Sequence, residues 1–119
     1  MYYLLALQNW CTTNYLIHGL WSDYTPTSYP SFCADIPFSL DELTQSPVYD
    51  DLLLNWSDCN YNDTIALYEH EWLKHGTCFP QFSQNEYFEK ALTLYKQYAD
   101  VGDGSAICFD LDFVKIVCP

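Results

Sequence analysis

Six cysteines in 119 residues, at positions 11, 33, 59, 78, 108 and 118, constrain the fold of this chain more than any other feature. Their number is even and none stand in C-x-x-C spacing, so disulfides formed in an oxidising compartment are expected rather than a zinc knuckle or a dithiol redox site. Six cysteines allow 15 pairings, and only the hairpin read below, which carries Cys108 and Cys118, favours one of them from local sequence. A chain of 13.9 kDa buries roughly two-thirds of its surface around one core, so a single domain over residues 1–119 is expected. The sequons Asn55-Trp56-Ser57 and Asn62-Asp63-Thr64 fit a glycoprotein of the same compartment.

Four lysines and arginines together against sixteen acidic residues give a formal charge of −12. That balance counts against a phosphate-rich partner, because such binding rests on basic surface. An acidic medium, or cations gathered in one cleft, would offset it. No stretch is apolar over the ~20 residues that span a bilayer, and no membrane partner is expected. The apolar run Tyr2 to Leu7 lacks a basic flank and is short for a signal sequence, so it reads as a strand. An oxidising compartment is expected from the cysteines, with any export signal outside these residues.

Tyr2 to Gln8 and Asn14 to His18 have the length and the aliphatic and aromatic content of strands. Thr25 to Pro37, with three prolines, reads as an ordered loop. Ser46-Pro47 opens a helix to about Trp56. A second helix runs from Asp63 or Thr64 to Gly76, where glycine suits a left-handed residue past the helix end. Ser83-Gln84-Asn85-Glu86 is a capping box for a third helix reaching Tyr98, with Tyr87, Phe88, Ala91, Leu92 and Tyr95 facing the core. Asp100 to Ser105 is a turn, and Ile107 to Asp110 with Phe113 to Val117 form a hairpin. The class is α+β, a small antiparallel sheet against about three helices, stapled by disulfides.

All three histidines fall in two short segments, Ile17-His18-Gly19-Leu20-Trp21 and His70-Glu71-Trp72-Leu73-Lys74-His75-Gly76-Thr77-Cys78. Imidazole is the side chain whose ordinary pKa, ~6.5, lets it give and take protons near neutrality. On a helix with ~100° per residue, Glu71 and His75 share a face and Lys74 adjoins them. His70 and His75 stand five apart and diverge by roughly 140°, which fails the HExxH zinc pattern; no metal and no cofactor are expected. Glu71 and Lys74 by spacing alone would be a surface helix pair worth a few tenths of a kcal/mol, and Trp72 and Tyr68, four apart, are core. Cys78 next to His75 suggests a thiol nucleophile less well than it suggests a disulfide. Two imidazoles, a cation and a carboxylate without metal or protein nucleophile suit cleavage of RNA, whose own 2′-hydroxyl attacks the neighbouring phosphorus.

The segments IHGLW and HEWLKHGTC closely resemble the two active-site signatures of the T2 family of acid ribonucleases. The resemblance extends to Leu4 to Gln8, to Ser28-Tyr29-Pro30-Ser31-Phe32-Cys33 and to Ile107 to Pro119, and implies a reduced version of that fold, shortened between the third helix and the hairpin. It implies His75 as general base on the 2′-hydroxyl and His18 as general acid on the leaving 5′-oxygen, the roles reversing when water opens the 2′,3′-cyclic phosphate. Glu71 and Lys74 would stabilise the transition state and His70 would hold the phosphate. Trp21 and Tyr29 would sandwich a base whose edge Asp23 reads, with Gln8 a further substrate contact. Single-stranded RNA is the implied partner of a monomer, and the resemblance implies a secreted, vacuolar or lysosomal location. The resemblance also implies the Cys33–Cys78 bridge, and elimination then leaves Cys11 with Cys59. Ser22 departs from the family, where proline commonly follows the signature tryptophan. The alternative is a truncated, catalytically weak or inactive relative that binds RNA or protein.

Overall fold

The computed structural model describes residues 1–9, 15–58, 63–99 and 105–119. Cys11 and Cys59, the sequon asparagine Asn62, and the expected turn over 100–104 lie outside the described residues, as does the start of the second expected strand at Asn14. Among the described residues four strands form one antiparallel sheet: β1 (Tyr2–Gln8), β2 (Leu16–Asp23), β3 (Ala106–Phe109) and β4 (Lys115–Ile116), in the order β2-β1-β3-β4. Among the described residues four α-helices accompany it, α1 (Leu40–Thr44), α2 (Tyr49–Asn55), α3 (Thr64–Lys74) and α4 (Gln84–Tyr98), and a 3-10 turn at Gly76–Cys78 follows α3.

The α+β class stands, with one helix more than expected. Helix α1 escaped the reading because five residues carry no usable hydrophobic period; Ser39 caps it by accepting from the Glu42 N–H, and only Leu43 is buried. Helix α2 starts at Tyr49 instead of Pro47, because Ser46 serves the preceding turn and donates to Glu89 Oε2 of α4 at 2.8 Å. Helix α4 begins as the capping box dictates, with Ser83 and Glu86 bonding each other's backbone N–H, and buries Tyr87, Phe88, Ala91 and Leu92. Strand β3 has the expected four residues, one position earlier, while β4 is shorter than expected because Phe113 takes φ 59°, and Asp110 Oδ1 accepts from the N–H groups of Asp112 and Val114 to close the turn.

Strand β2 runs past His18 through the whole first signature to Asp23. Its pairing with β1 places Leu5 opposite Leu20 and Leu4 opposite Trp21, and then slips: Ala6 faces Gly19 while Leu7 faces Ile17. His18 is therefore the extra residue of a β-bulge. Without the slip His18 would stand opposite Leu7, on the side whose Leu5, Leu7 and Leu20 fill the core. The bulge gives that core place to fully buried Ile17 and turns the imidazole to the face that carries Trp21.

The core joins Leu5, Leu7, Ile17 and Leu20 of the sheet to Tyr68 and Trp72 of α3 and to Tyr87 and Phe88 of α4. Gly76 is not the left-handed residue expected at the end of α3. It opens the 3-10 turn, and its value is space: a Cβ there would lie 2.3 Å from Trp72 Cε3 and 3.0 Å from Tyr87 Cδ2. The proline-rich loop after β2 is fastened to this same end of α3. Phe32 N–H donates to the Lys74 carbonyl at 2.9 Å, Cys33 N–H to Thr77 Oγ1 at 3.2 Å, and Cys33 is bonded to Cys78. The Cys108–Cys118 bridge closes the C-terminal hairpin.

Candidate active site

Strand β2 supplies His18, Trp21 and Asp23, helix α3 supplies His70, Glu71 and Lys74, His75 follows as its C-cap, and the fastened loop supplies Tyr29. All eight line one cavity of about 470 Å³, with Leu4 and Pro26 completing the wall. The ninth candidate, Gln8, is not among the lining residues. Its amide donates to the carbonyls of Ile17 at 2.7 Å and Ser57 at 2.9 Å, and it ties β2 to the segment after α2. A buried carboxamide with satisfied donors is a structural tie here.

Glu71 is the hub. It is 1% exposed, its Oε1 lies 3.3 Å from His18 Nε2 and its Oε2 lies 3.9 Å from His75 Nε2. One carboxylate thus spans the two imidazoles. The Trp21 indole N–H donates to the same Oε2 at 2.9 Å, and the indole stacks on the His75 ring at 4.8 Å between centroids, 23° between planes. Gly19 makes room for this arrangement, since a Cβ at that position would fall 2.3 Å from Glu71 Oε2 and 2.5 Å from Trp21 Nε1. Trp21 therefore has one ring face on His75 and its polar edge on Glu71.

His75 is buried, and its Nδ1 has no hydrogen-bond partner among the described residues. Burial drives its pKa from 6.5 down to about 4, opposed by the Glu71 carboxylate and assisted by Lys74, His70 and His18. It is thus a neutral base at mildly acidic pH. Lys74 Nζ stands 5.4 Å from the centre of the Tyr29 ring, which is 48% exposed and lies 6.0 Å from the His75 ring. His70 is exposed at the rim. Asp23 sits opposite Tyr2 in the strand pairing and is nearly buried, and that burial raises its carboxyl above the ordinary range. Among the described residues, no group of three or more His, Cys, Asp or Glu side chains is arranged to hold a metal ion.

Two lining residues were missed from the sequence, Leu4 and Pro26, both of which form wall. The period-2 alternation of β1 held the signal for Leu4; which strand would lie opposite was not legible.

A small four-stranded sheet with a carboxylate-bridged pair of imidazoles between an edge strand and a helix end is the architecture these residues define. Residues 4–103 match the model of the Ribonuclease T2 family. Ribonuclease 1 of Arabidopsis thaliana is 43% identical over 82 residues, 66% of this chain and 35% of that protein. Ribonuclease T2 of Sus scrofa is 39% identical over 90 residues, 70% of this chain and 42% of that one. The crystal structure of human RNase T2 superposes with a TM-score of 0.67 at 27% identity, over 85% of this chain and 60% of that one. The chain belongs to the Ribonuclease T2 family, and it spans 33% of the length of the tomato relative named intracellular ribonuclease LX and 35% of the Arabidopsis one.

Proposed function

We propose that this chain is a metal-independent endoribonuclease that cleaves single-stranded RNA through a 2′,3′-cyclic phosphate. The observation that carries the reading is the single buried carboxylate, Glu71, within reach of both His18 and His75. Neutral His75 takes the proton of the 2′-hydroxyl as its oxygen bonds to phosphorus, and protonated His18 gives a proton to the 5′-oxygen as the P–O5′ bond breaks. Glu71 stabilises the imidazolium that forms on His75 and the one already present on His18. A carboxylate this close to a phosphodiester repels it, and Lys74 with His70 offsets that repulsion at the phosphate oxygens. Tyr29 offers an exposed ring for base stacking and Asp23 an acceptor for a base edge. Trp21 takes part in that base site through its ring face away from His75.

The molecule acts as a single domain and a monomer, in an oxidising compartment such as the secretory route or a vacuole, where the Cys33–Cys78 and Cys108–Cys118 bridges persist. The test is incubation of the purified protein with single-stranded RNA at pH ~5 in EDTA. Fragments ending in 2′,3′-cyclic phosphate, with the 2′-deoxy strand left intact, support the reading. A folded protein that binds RNA without cutting it supports the non-catalytic alternative.

A further inference from the structure

We infer that Tyr87 is a positioning residue for the proposed cleavage, which holds the strand of His18 at a fixed distance from the helix end of His75. The inference rests on the nuclease reading and adds to it a residue of α4 that lies outside the cavity lining.

Among the described residues β2 is an outer strand of the sheet, paired with β1 on one side. In an antiparallel pair the backbone groups of alternate residues point away from the partner strand. Leu20 is such a residue, and at 0% exposure its outward N–H and C=O need partners inside the protein. One phenol satisfies both. The Tyr87 hydroxyl donates to the Leu20 carbonyl at 2.8 Å and accepts from the Leu20 N–H at 3.3 Å. Tyr87 is itself fully buried, and burial raises its pKa well above the ordinary phenol value, so the donor keeps its proton throughout the working range.

These bonds fall two residues after His18, the extra residue of the bulge, where the ladder to β1 is interrupted. Strand β1 therefore restrains this stretch less than a regular partner would, and Tyr87 restrains it from the other side. Gly19 and Trp21 flank the anchored residue, and both meet Glu71. The ring of the same tyrosine bears on the helix side of the site. A Cβ on Gly76, the residue after His75, would lie 3.0 Å from Tyr87 Cδ2, and the Tyr87 ring packs against Trp72 of α3 at 5.9 Å between centroids. Tyr87 thus reaches from the strand that carries the proposed acid to the turn that follows the proposed base, and its length sets their separation.

The experiment removes one oxygen. Tyr87→Phe keeps the ring and its packing and leaves Leu20 without its anchor. Tyr68→Phe is the matched control: it removes another fully buried phenol, whose partner, the Trp56 carbonyl at 2.7 Å, belongs to neither half of the site. Both variants are assayed below their melting temperatures on a dinucleoside phosphate and on uridine 3′-(4-nitrophenyl phosphate), whose leaving group departs without a proton. Tyr87→Phe should lower kcat on the dinucleotide by about tenfold, the scale of a displacement under ~1 Å, with KM within about twofold. On the nitrophenyl ester it should come within about threefold of wild type, because β2 carries the acid and not the base. Tyr68→Phe should lose stability on a similar scale and match the wild type on both substrates. Equal losses for Tyr87→Phe on the two substrates, wild-type kcat on both, or the same losses in Tyr68→Phe would overturn the inference. Amide hydrogen exchange of the wild type tests the anchor even where Tyr87→Phe does not fold: the Leu20 amide should exchange as slowly as the β1-paired amide of Trp21, and fast exchange at Leu20 overturns the inference. Absence of RNA cleavage by the wild type overturns the nuclease reading itself.

Discussion

At the residue scale, the chemistry depends on a hydrogen atom and on a buried ring. Gly19 lies where the edge strand passes against the Glu71 carboxylate, the centre of the proposed chemistry, and a methyl group there would overlap Glu71 Oε2 at 2.3 Å. Gly19→Ala should lower kcat by about 10²-fold, the scale set by a misplacement of ~1 Å in an active site, in a protein whose melting curve stays cooperative. His75 supplies a second prediction. Its folded pKa is about 4 and an unfolded imidazole titrates near ~6.5. The unfolded chain binds more protons between those values, so burial of neutral His75 contributes fully above 6.5 and its contribution is lost as pH falls to 4, about 3 kcal/mol in all. The acid limb of kcat/KM should lie near the same pH, and Glu71→Gln should move it lower, because the Glu71 carboxylate raises the His75 pKa. Melts and rates between pH 3 and 7 on the two proteins check both signs.

At the scale of elements, the site is made by one strand and one helix end, and their legibility in the sequence differed. Helix α4 was readable because its capping box and its buried row recur at fixed spacing; Ser83→Ala should cost about 1 kcal/mol and lower the melting temperature by about 4 °C, with kcat unchanged, as thermal melts and rates would show. The α3 segment was readable from the spacing of Glu71, Lys74 and His75. The bulge was not, because it is a property of two strands in register: nothing within Ile17-His18-Gly19 says that Ala6 and Leu7 stand opposite Gly19 and Ile17. For the same reason the strand was expected to stop at His18 when it continues to Asp23. Gly76 was assigned a backbone role from its position, whereas its surroundings, Trp72 and Tyr87, assign it a packing role. Gln8 shows the converse, a polar residue near a motif that lies outside the cavity lining and whose amide donates to the carbonyls of Ile17 and Ser57.

At the scale of the molecule, a charge of −12 surrounds a cleft that, on the proposed function, accepts a polyanion. The positive groups lining that cleft are Lys74 and, when protonated, the three histidines. The long-range field therefore repels RNA while the local one attracts it. Salt screens exposed charges beyond about 10 Å at 0.1 M and buried pairs much less. Raising salt from about 20 to about 150 mM at pH ~6 should thus leave KM unchanged or lower it, the reverse of a basic nuclease that releases counterions on binding. Initial-rate kinetics on a short single-stranded RNA measure that sign.

The division of labour between the two imidazoles is tested most directly by a substrate with an activated leaving group. His18→Ala and His75→Ala would be assayed on a dinucleoside phosphate and on uridine 3′-(4-nitrophenyl phosphate), whose nitrophenolate departs without a proton. Loss of a general acid or base costs ~10²–10⁴-fold, so both variants should lose about that much on the dinucleotide. On the nitrophenyl ester His18→Ala should recover to within about tenfold of wild type, while His75→Ala stays as impaired as before. Equal losses for the two variants on both substrates, or recovery of His75→Ala instead, would contradict the account.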